Sequence, residues 1–114
     1  MSSLAFQDQY LDARADCWGC GRNNADGLHV KSYWDGDEAI ANFTADPEHT
    51  GHKGVLNGGI IATLMDCHCM GLAMARAYRT EDRQINSQPP APGFLPRWQA
   101  DQLCIFKFYI NSAS

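Results

Sequence analysis

Residues 54–79 read GVLNGGIIATLMDCHCMGLAMARAYR, and this stretch decides the fold. Apolar residues recur at helical spacing from Ile60 to Leu72, and alanine, the strongest helix former, is frequent. Asn57 is a good N-cap residue directly before the double glycine. The pattern predicts one helix from about Gly58 to Tyr78. Because so many of its residues are small or apolar, we expect this helix to be buried against a sheet.

Two strands are predicted before this helix. Asp35-Gly36-Asp37 separates an alternating segment from residues 38–43, and Asp-Gly between two such runs is a strong signal of a β-hairpin. Residues 45–54 then form a loop. The alternation places four side chains on one face of the first strand, namely Leu28, Val30, Ser32 and Trp34.

The ends of the chain carry weaker patterns. Scattered apolar positions in residues 1–16 suit a short N-terminal helix. Residues 88–96 contain four prolines and a glycine, which prevent regular structure. Residues 103–110 then read as one closing strand. We therefore expect a single α+β domain over residues 1–114, with a central helix held by an antiparallel sheet.

The composition is that of a small globular domain. Hydrophobic residues make up 45% of the 114 residues and charged residues 19%, which excludes a disordered tail as the main content. A domain of this size leaves much of its surface in water, so burial of part of that surface between subunits would add stability. The length alone therefore favours an oligomer.

The charge balance limits the classes of partner. A formal net charge of −4 argues against a nucleic-acid-binding protein, which needs a basic face. The N-terminus lacks the features of a signal peptide, and no apolar run approaches the roughly 18 residues that span a bilayer. We expect a cytoplasmic protein with no membrane partner. A phosphorylated ligand can still be held by local cations, for which the candidates are Lys53, Arg76, Arg79 and Arg83.

The double glycine at the start of the helix is a candidate oxyanion hole. A helix N-terminus presents unpaired N–H groups and positive dipole character. Glycine at positions 58 and 59 lets a carbonyl oxygen approach these amides, where a larger side chain would block it. The alternative interpretation is a tight turn that only connects the loop to the helix.

Asp66 interrupts the apolar helix with a carboxylate. It follows Gly59 by seven residues and so lies on roughly the same side of the helix. A buried carboxylate without a partner is costly, which makes a general base or nucleophile for acyl transfer one interpretation of Asp66. The other interpretation is an aspartate that is paired with a neighbouring donor or points to solvent.

The glycine amides and Asp66 are too far apart to act together within one chain. Two helical turns separate them by roughly 10 Å along the axis. If a twofold axis sets two such helices side by side, the amide of one subunit can face the aspartate of the other. The sequence therefore predicts two composite sites per dimer.

A set of motifs extends over about residues 17–79. It consists of CWGCG at 17–21, Asn24, Gly27-Leu28, His49, Gly51 and GVLNGGIIATLMD at 54–66. This set resembles the phenylacetate-pathway branch of the hotdog-fold acyl-CoA thioesterases. The resemblance implies a central helix wrapped by a curved antiparallel sheet and a homodimer or a dimer of dimers. It also implies hydrolysis of acyl-CoA to free acid and CoA, without a metal or another cofactor.

The resemblance also assigns candidate site residues. It implies Asp66 as general base or nucleophile, the Gly58 amide as oxyanion donor and Asn57 as an assisting polar residue. Many members carry histidine where this chain has Asn57, although asparagine can also hydrogen-bond a thioester carbonyl or an attacking water. His68 points to another face of the helix, where a packed or interfacial histidine is expected. Further substrate contacts are expected from Gly59, His52, Lys53 and Thr63, with a solvated loop side chain as the alternative for His52.

The chain departs from the family pattern after the helix. The family continues with three consecutive strands, whereas this sequence offers one. We therefore expect the C-terminal strands of the sheet to be incomplete and residues 88–114 to form a divergent segment. The acyl pocket and the CoA groove would both be altered by this difference.

The cysteines leave two further interpretations open. Five cysteines are an odd number, and free thiols are the default inside a cell. The Cys17-x-x-Cys20 pair is a common half of a zinc site. Cys67 and Cys69 project about 200° apart on one helix, so at most one of them can join the same metal. His68 or Cys104 would have to complete the site, and we expect no metal. A thioredoxin-like redox role is less favoured still, because the pair does not open a helix after a buried strand.

The alternative function is a non-catalytic hotdog protein that binds acyl-CoA or an aromatic ligand. Substitution of Asp66 by Asn separates the two functions, because only an enzyme would lose hydrolysis. The aromatic residues do not identify the acyl group, since aromatic side chains at strand spacing are more often part of a core. The candidates for a pocket lining are Trp18, Trp34, Phe106 and Phe108.

Overall fold

The computed structural model describes residues 4–89 and 106–112 of the chain. These residues form an α+β structure in which one long helix packs against a three-stranded mixed sheet. The strands are β1 (Ser32–Asp35), β2 (Glu38–Ala45) and β3 (Phe106–Ser112), the helix is α1 (Gly58–Arg79), and three short 3-10 segments cover Gln7–Gln9, Asp12–Arg14 and Pro47–His49.

The predicted hairpin is confirmed. Strands β1 and β2 pair antiparallel, with Asp35 opposite Glu38 and two turn residues between them. Gly36 is the first of these residues and has a φ of 63°, which favours glycine at this position of a tight hairpin turn. β1 begins later than predicted, at Ser32, because His29 takes a positive φ and interrupts the extended segment.

The expectation of a purely antiparallel sheet is wrong for β3. This strand pairs parallel to β2, from Ala39 opposite Phe106 to Ala45 opposite Ser112. Helix α1 lies between the two strands in the chain, and parallel strands require a crossover of this kind. Residues 90–105 lie outside the described residues, and with them most of the predicted proline-rich stretch and the start of the predicted closing strand.

One face of the sheet packs against α1. Buried and exposed residues alternate along β2, and Ala39, Ala41 and Phe43 are buried. Phe43 packs with Leu64 and Cys67 at the first half of α1. Near its second half, Ala39 packs with Phe6, Leu72 and Ala75.

The prediction for α1 itself is confirmed within one residue at its C-terminal end, since the helix runs from Gly58 to Arg79. It is buried on one side only. The buried residues recur every three or four positions from Leu64 to Tyr78. By length and composition alone, α1 is one helix among the described residues that could cross a membrane. The core helices of soluble proteins have the same length and composition, and α1 packs on a sheet.

The N-terminal helix predicted in residues 1–16 is wrong for the described residues 4–16. They contain two short 3-10 segments, because the backbone bonds elsewhere. The Phe6 N–H donates to the Ser32 carbonyl over 2.8 Å. The fully buried side chain of Gln7 accepts from the Ser32 N–H and donates to the Ser32 hydroxyl, which lies 2.8 Å from Nδ1 of His68. These bonds fasten the N-terminal segment to β1 and α1.

Replacing Gln7 by Ala should lower the free energy of unfolding by about 1–3 kcal/mol, because the Ser32 N–H would lose its partner in the core. Urea denaturation measures this change. Gln84→Ala is the matched control, since Gln84 is exposed, and it should stay within about 0.5 kcal/mol of the parent chain. Equal stability of the two variants would contradict a structural role for the Gln7 bonds.

Candidate functional site

The first turn of α1 presents an open backbone amide. The Asn57 side chain caps the helix by accepting from the Gly59 N–H over 2.8 Å, as its N-cap prediction implies. The Gly58 N–H donates to none of the described residues. A Cβ atom built on Gly58 would have no neighbour within 4 Å. Packing within the chain therefore does not require glycine at position 58, and the amide can be approached from outside.

The cap also determines which atom of the Asn57 side-chain amide can contact a ligand. Its Oδ1 is used by the Gly59 N–H, so the Nδ2 group remains as the outward donor. A donor next to the Gly58 amide can contact a carbonyl oxygen. The Gly59 N–H is already engaged, which leaves Gly58 as the amide of this turn that can receive a ligand.

Asp66 lies on the exposed side of α1 and not in the core. The Asp66 carboxylate is therefore not buried in the single chain, because the apolar residues around it in the sequence are divided between two faces of the helix. Its carboxylate makes no hydrogen bond or ion pair with any described residue. Asp66 faces solvent in the single chain, and its role in catalysis stays a prediction.

The side of α1 that carries Asp66 is otherwise apolar. Ile61, Met65 and Met70 are 37%, 48% and 38% exposed. The remaining members of this surface, which we call the outer face, are small residues and one thiol, and they comprise Gly58, Ala62, Cys69 and Ala73. Asp66 is thus the one charged residue on this face between Gly58 and Ala73.

The other predicted substrate contacts are spread over two places. His52 and Lys53 lie at the tip of a loop that the Asn57 N–H closes onto the His49 carbonyl. Both side chains are exposed and bond to no described residue, which agrees with the solvated alternative for His52. The Thr63 hydroxyl donates to the Gly59 carbonyl over 3.0 Å, and its methyl group lies near Gly19.

Two of the four candidate cations are engaged within the chain. The Arg79 guanidinium lies 4.2 Å from the centre of the Trp34 ring and donates to the Gly36 carbonyl. Arg83 bonds Glu81 and backbone carbonyls near the end of the described segment. Lys53 is exposed and makes no such contact with a described residue, whereas the Nε of Arg76 is buried.

Cys17, Cys20 and Cys67 meet in space. Their sulfur atoms all lie within 4.8 Å of one another, and those of Cys17 and Cys67 are 3.9 Å apart. Cys20 and Cys67 are buried, whereas Cys17 is exposed. Cys69 is exposed on the outer face, and Cys104 lies outside the described residues. The expectation that only one of Cys67 and Cys69 can join the Cys17–Cys20 pair is confirmed.

The thiols of this cluster influence one another. Interaction with the neighbouring Cys67 thiol lowers the pKa of Cys20, and interaction with Cys20, followed by burial, raises the pKa of Cys67. Burial, followed by the charges of Cys20 and Cys67, raises the pKa of the Tyr10 hydroxyl. Cys20 is thus the thiol of this pair that ionises first.

The remaining candidates are His68 and the aromatic residues that the sequence suggested for a pocket lining. His68 is fully buried and bonded to Ser32, which confirms the prediction of a packed histidine. Trp34 packs edge-on against Phe6, at a ring distance of 5.2 Å. Trp18 is exposed beside Cys17. The side chains of Phe106 and Phe108 lie outside the described part of the structure.

Comparison of the chain with models of protein families, with curated proteins and with solved structures finds no match. The resemblance to the hotdog-fold thioesterases therefore rests on the motifs in residues 17–79 alone. It remains a prediction.

Asn57→Ala should lower the free energy of unfolding by about 1 kcal/mol, because the Gly59 N–H loses its cap. Asn57→Ser keeps a capping oxygen and should stay within a few tenths of a kcal/mol of the parent chain. Chemical denaturation followed by the helical circular dichroism signal measures both. If Asn57→Ser destabilises the chain as much as Asn57→Ala does, the cap is not what Asn57 contributes.

Proposed function

We propose that the protein is an acyl-CoA thioesterase of the hotdog-fold class that acts as a homodimer. The observation that carries the proposal is the position of Asp66, a carboxylate without a bonded partner on the apolar outer face of α1. The open Gly58 amide at the start of the same helix supports it. The motifs of residues 17–79 supply the reaction class. We place the protein in the cytoplasm.

A second copy of the chain is the proposed partner of the outer face. Exposed apolar side chains on a helix favour burial against another protein surface. An antiparallel arrangement of two α1 helices about a twofold axis brings Gly58 of one subunit opposite Asp66 of the other. It also removes water from around Asp66, which gives the carboxylate the buried environment that the single chain does not provide. A dimer of dimers is compatible with the same arrangement.

The proposed reaction uses each group once. Asp66 takes a proton from water, and the water oxygen bonds to the thioester carbon. The carbonyl oxygen becomes negative and accepts from the Gly58 N–H, with Asn57 Nδ2 as a second donor. Collapse of this intermediate breaks the carbon–sulfur bond, and the CoA sulfur leaves with the proton. Direct attack by the Asp66 carboxylate, followed by hydrolysis of the anhydride, gives the same products.

Asp66→Asn should reduce kcat/KM by about 10²–10⁴-fold, because the amide cannot accept the proton of the attacking water. Thiol release from a panel that includes phenylacetyl-CoA and hexanoyl-CoA measures the loss. Unchanged turnover in this variant would exclude Asp66 as the base. A folded dimeric parent chain without turnover that still binds acyl-CoA would favour the non-catalytic binding protein.

Gly58→Pro should reduce kcat by about 10²–10³-fold, because it removes the proposed oxyanion donor. Proline is well tolerated at the first position of a helix, and Asn57, with a ψ of 130°, already has the backbone that precedes proline. Gly58→Ala is the matched control, since it keeps the N–H and its methyl group meets no atom of the same chain, so its loss of activity should be smaller than that of the proline variant. Equal activity of the proline and alanine variants would contradict the role of the amide.

Mixing Asp66→Asn and Gly58→Pro chains tests whether the site is composite. A mixed dimer has one site with both defects and one site with none. When equal amounts of the two chains exchange subunits, half of the dimers are mixed, so about a quarter of the parent activity should be restored. A site formed within one chain would give no recovery, because every chain carries a defect.

Met65→Glu should convert the dimer to a monomer, since it buries a second charge in the centre of the outer face. Light scattering after size-exclusion chromatography measures the mass. Leu11→Glu is the control, because Leu11 is similarly exposed at 46% but lies far from α1 in the chain. Loss of the dimer in both variants would place the interface elsewhere.

A further inference from the structure

The cluster of Cys17, Cys20 and Cys67 takes no part in the proposed hydrolysis. Its geometry is that of a metal site. Zinc–thiolate bonds are about 2.3 Å long, so two sulfurs of a tetrahedral site are about 3.8 Å apart. The 3.9 Å between the Cys17 and Cys67 sulfurs is close to this value, and the third sulfur lies within 4.8 Å of both.

The CWGCG loop, which carries Cys17 and Cys20, packs closely against Cys67 of α1. A Cβ atom on Gly19 would lie 2.3 Å from the Cys67 sulfur, so only glycine lets the loop lie against α1 here. A Cβ atom on Gly21 would lie 2.4 Å from the Ala15 carbonyl oxygen. Residues Leu28 and Val30 hold the loop from the other side through bonds to the carbonyls of Trp18 and Gly19.

The surroundings of the cluster suit a bound cation. Cys20 and Cys67 belong to a core cluster with Val30, Phe43 and Leu64, which holds both sulfurs in fixed positions. The exposed Cys17 provides a path from solvent to the cluster. Three soft thiolate ligands in such a site select zinc over magnesium or calcium, which prefer oxygen ligands.

We propose that Cys17, Cys20 and Cys67 bind one zinc ion, with a fourth coordination position open to the solvent side. Cys67 and Cys69 cannot supply a second pair of zinc ligands, because they project to different faces of α1. The structure instead completes the Cys17–Cys20 pair with a single residue of α1. A zinc ion at this site would link the CWGCG loop to α1, and its binding would release protons from the thiols.

The test uses the full chain, reduced and stripped of metal with a chelator, and titrated with Zn²⁺ and separately with Co²⁺. The expected result is one ion per chain, a thiolate-to-cobalt charge-transfer band and a higher Tm in the presence of zinc. Cys17→Ser should weaken binding by on the order of a hundredfold, and because Cys17 is exposed the variant should fold. Cys69→Ser is the matched control and should bind like the parent chain.

Two results would overturn the proposal. The first is reduced, folded parent protein that binds neither ion, or that binds them as tightly after Cys17→Ser as before. The second is a disulfide among Cys17, Cys20 and Cys67, found by mass spectrometry in protein that takes up no zinc after reduction. That second result would assign the cluster to a redox-active thiol group.

Discussion

The packing of the inner side of α1 against one face of the sheet is the contact on which the rest of the structure depends. Phe43 packs with Leu64, and Ala39 packs with Leu72 and Ala75, so these residues fill the space on the inner side of the helix. Once this side is fixed, the direction of every other helix residue is fixed as well. The outer face, the open amide at Gly58 and the inward thiol of Cys67 all follow from the same rotation of α1 about its axis.

Adjacent residues of α1 are therefore divided between different environments. Asp66 is exposed on the apolar outer face, while Cys67 is buried beside the CWGCG loop. A helix turns by about 100° per residue, so neighbours in the sequence need not share a surface. The proposed hydrolytic site and the proposed zinc site can thus lie on one turn of the helix with their side chains on different surfaces. A bound zinc ion would nevertheless restrain the backbone that carries Asp66.

The elements with local signals were predicted from the sequence. The hairpin at Gly36 and the helix from Gly58 depend on turn residues, a cap and a period, all of which lie within a few neighbouring positions. The parallel partner of β2 was not predicted, because strand direction depends on the path of the chain over some sixty residues.

The exposure of Asp66 was not predicted, because an apolar helix can be buried on one side by its own chain and on the other by a partner. The cysteine cluster was underestimated for a related reason. Gly19 of the CWGCG loop lies against Cys67 of α1, and the sequence alone does not show this contact.

The parallel pairing of β3 with β2 also has a consequence for assembly of the chain. β1, β2 and α1 all lie within residues 32–79, so they can form as a unit during synthesis before β3 is available. The second edge of β2 stays unpaired until residues 106–112 arrive. An exposed strand edge is a template for pairing with another chain. Self-association in the wrong register is therefore the characteristic hazard of this molecule before β3 is in place, and it is greatest when many copies are synthesised together.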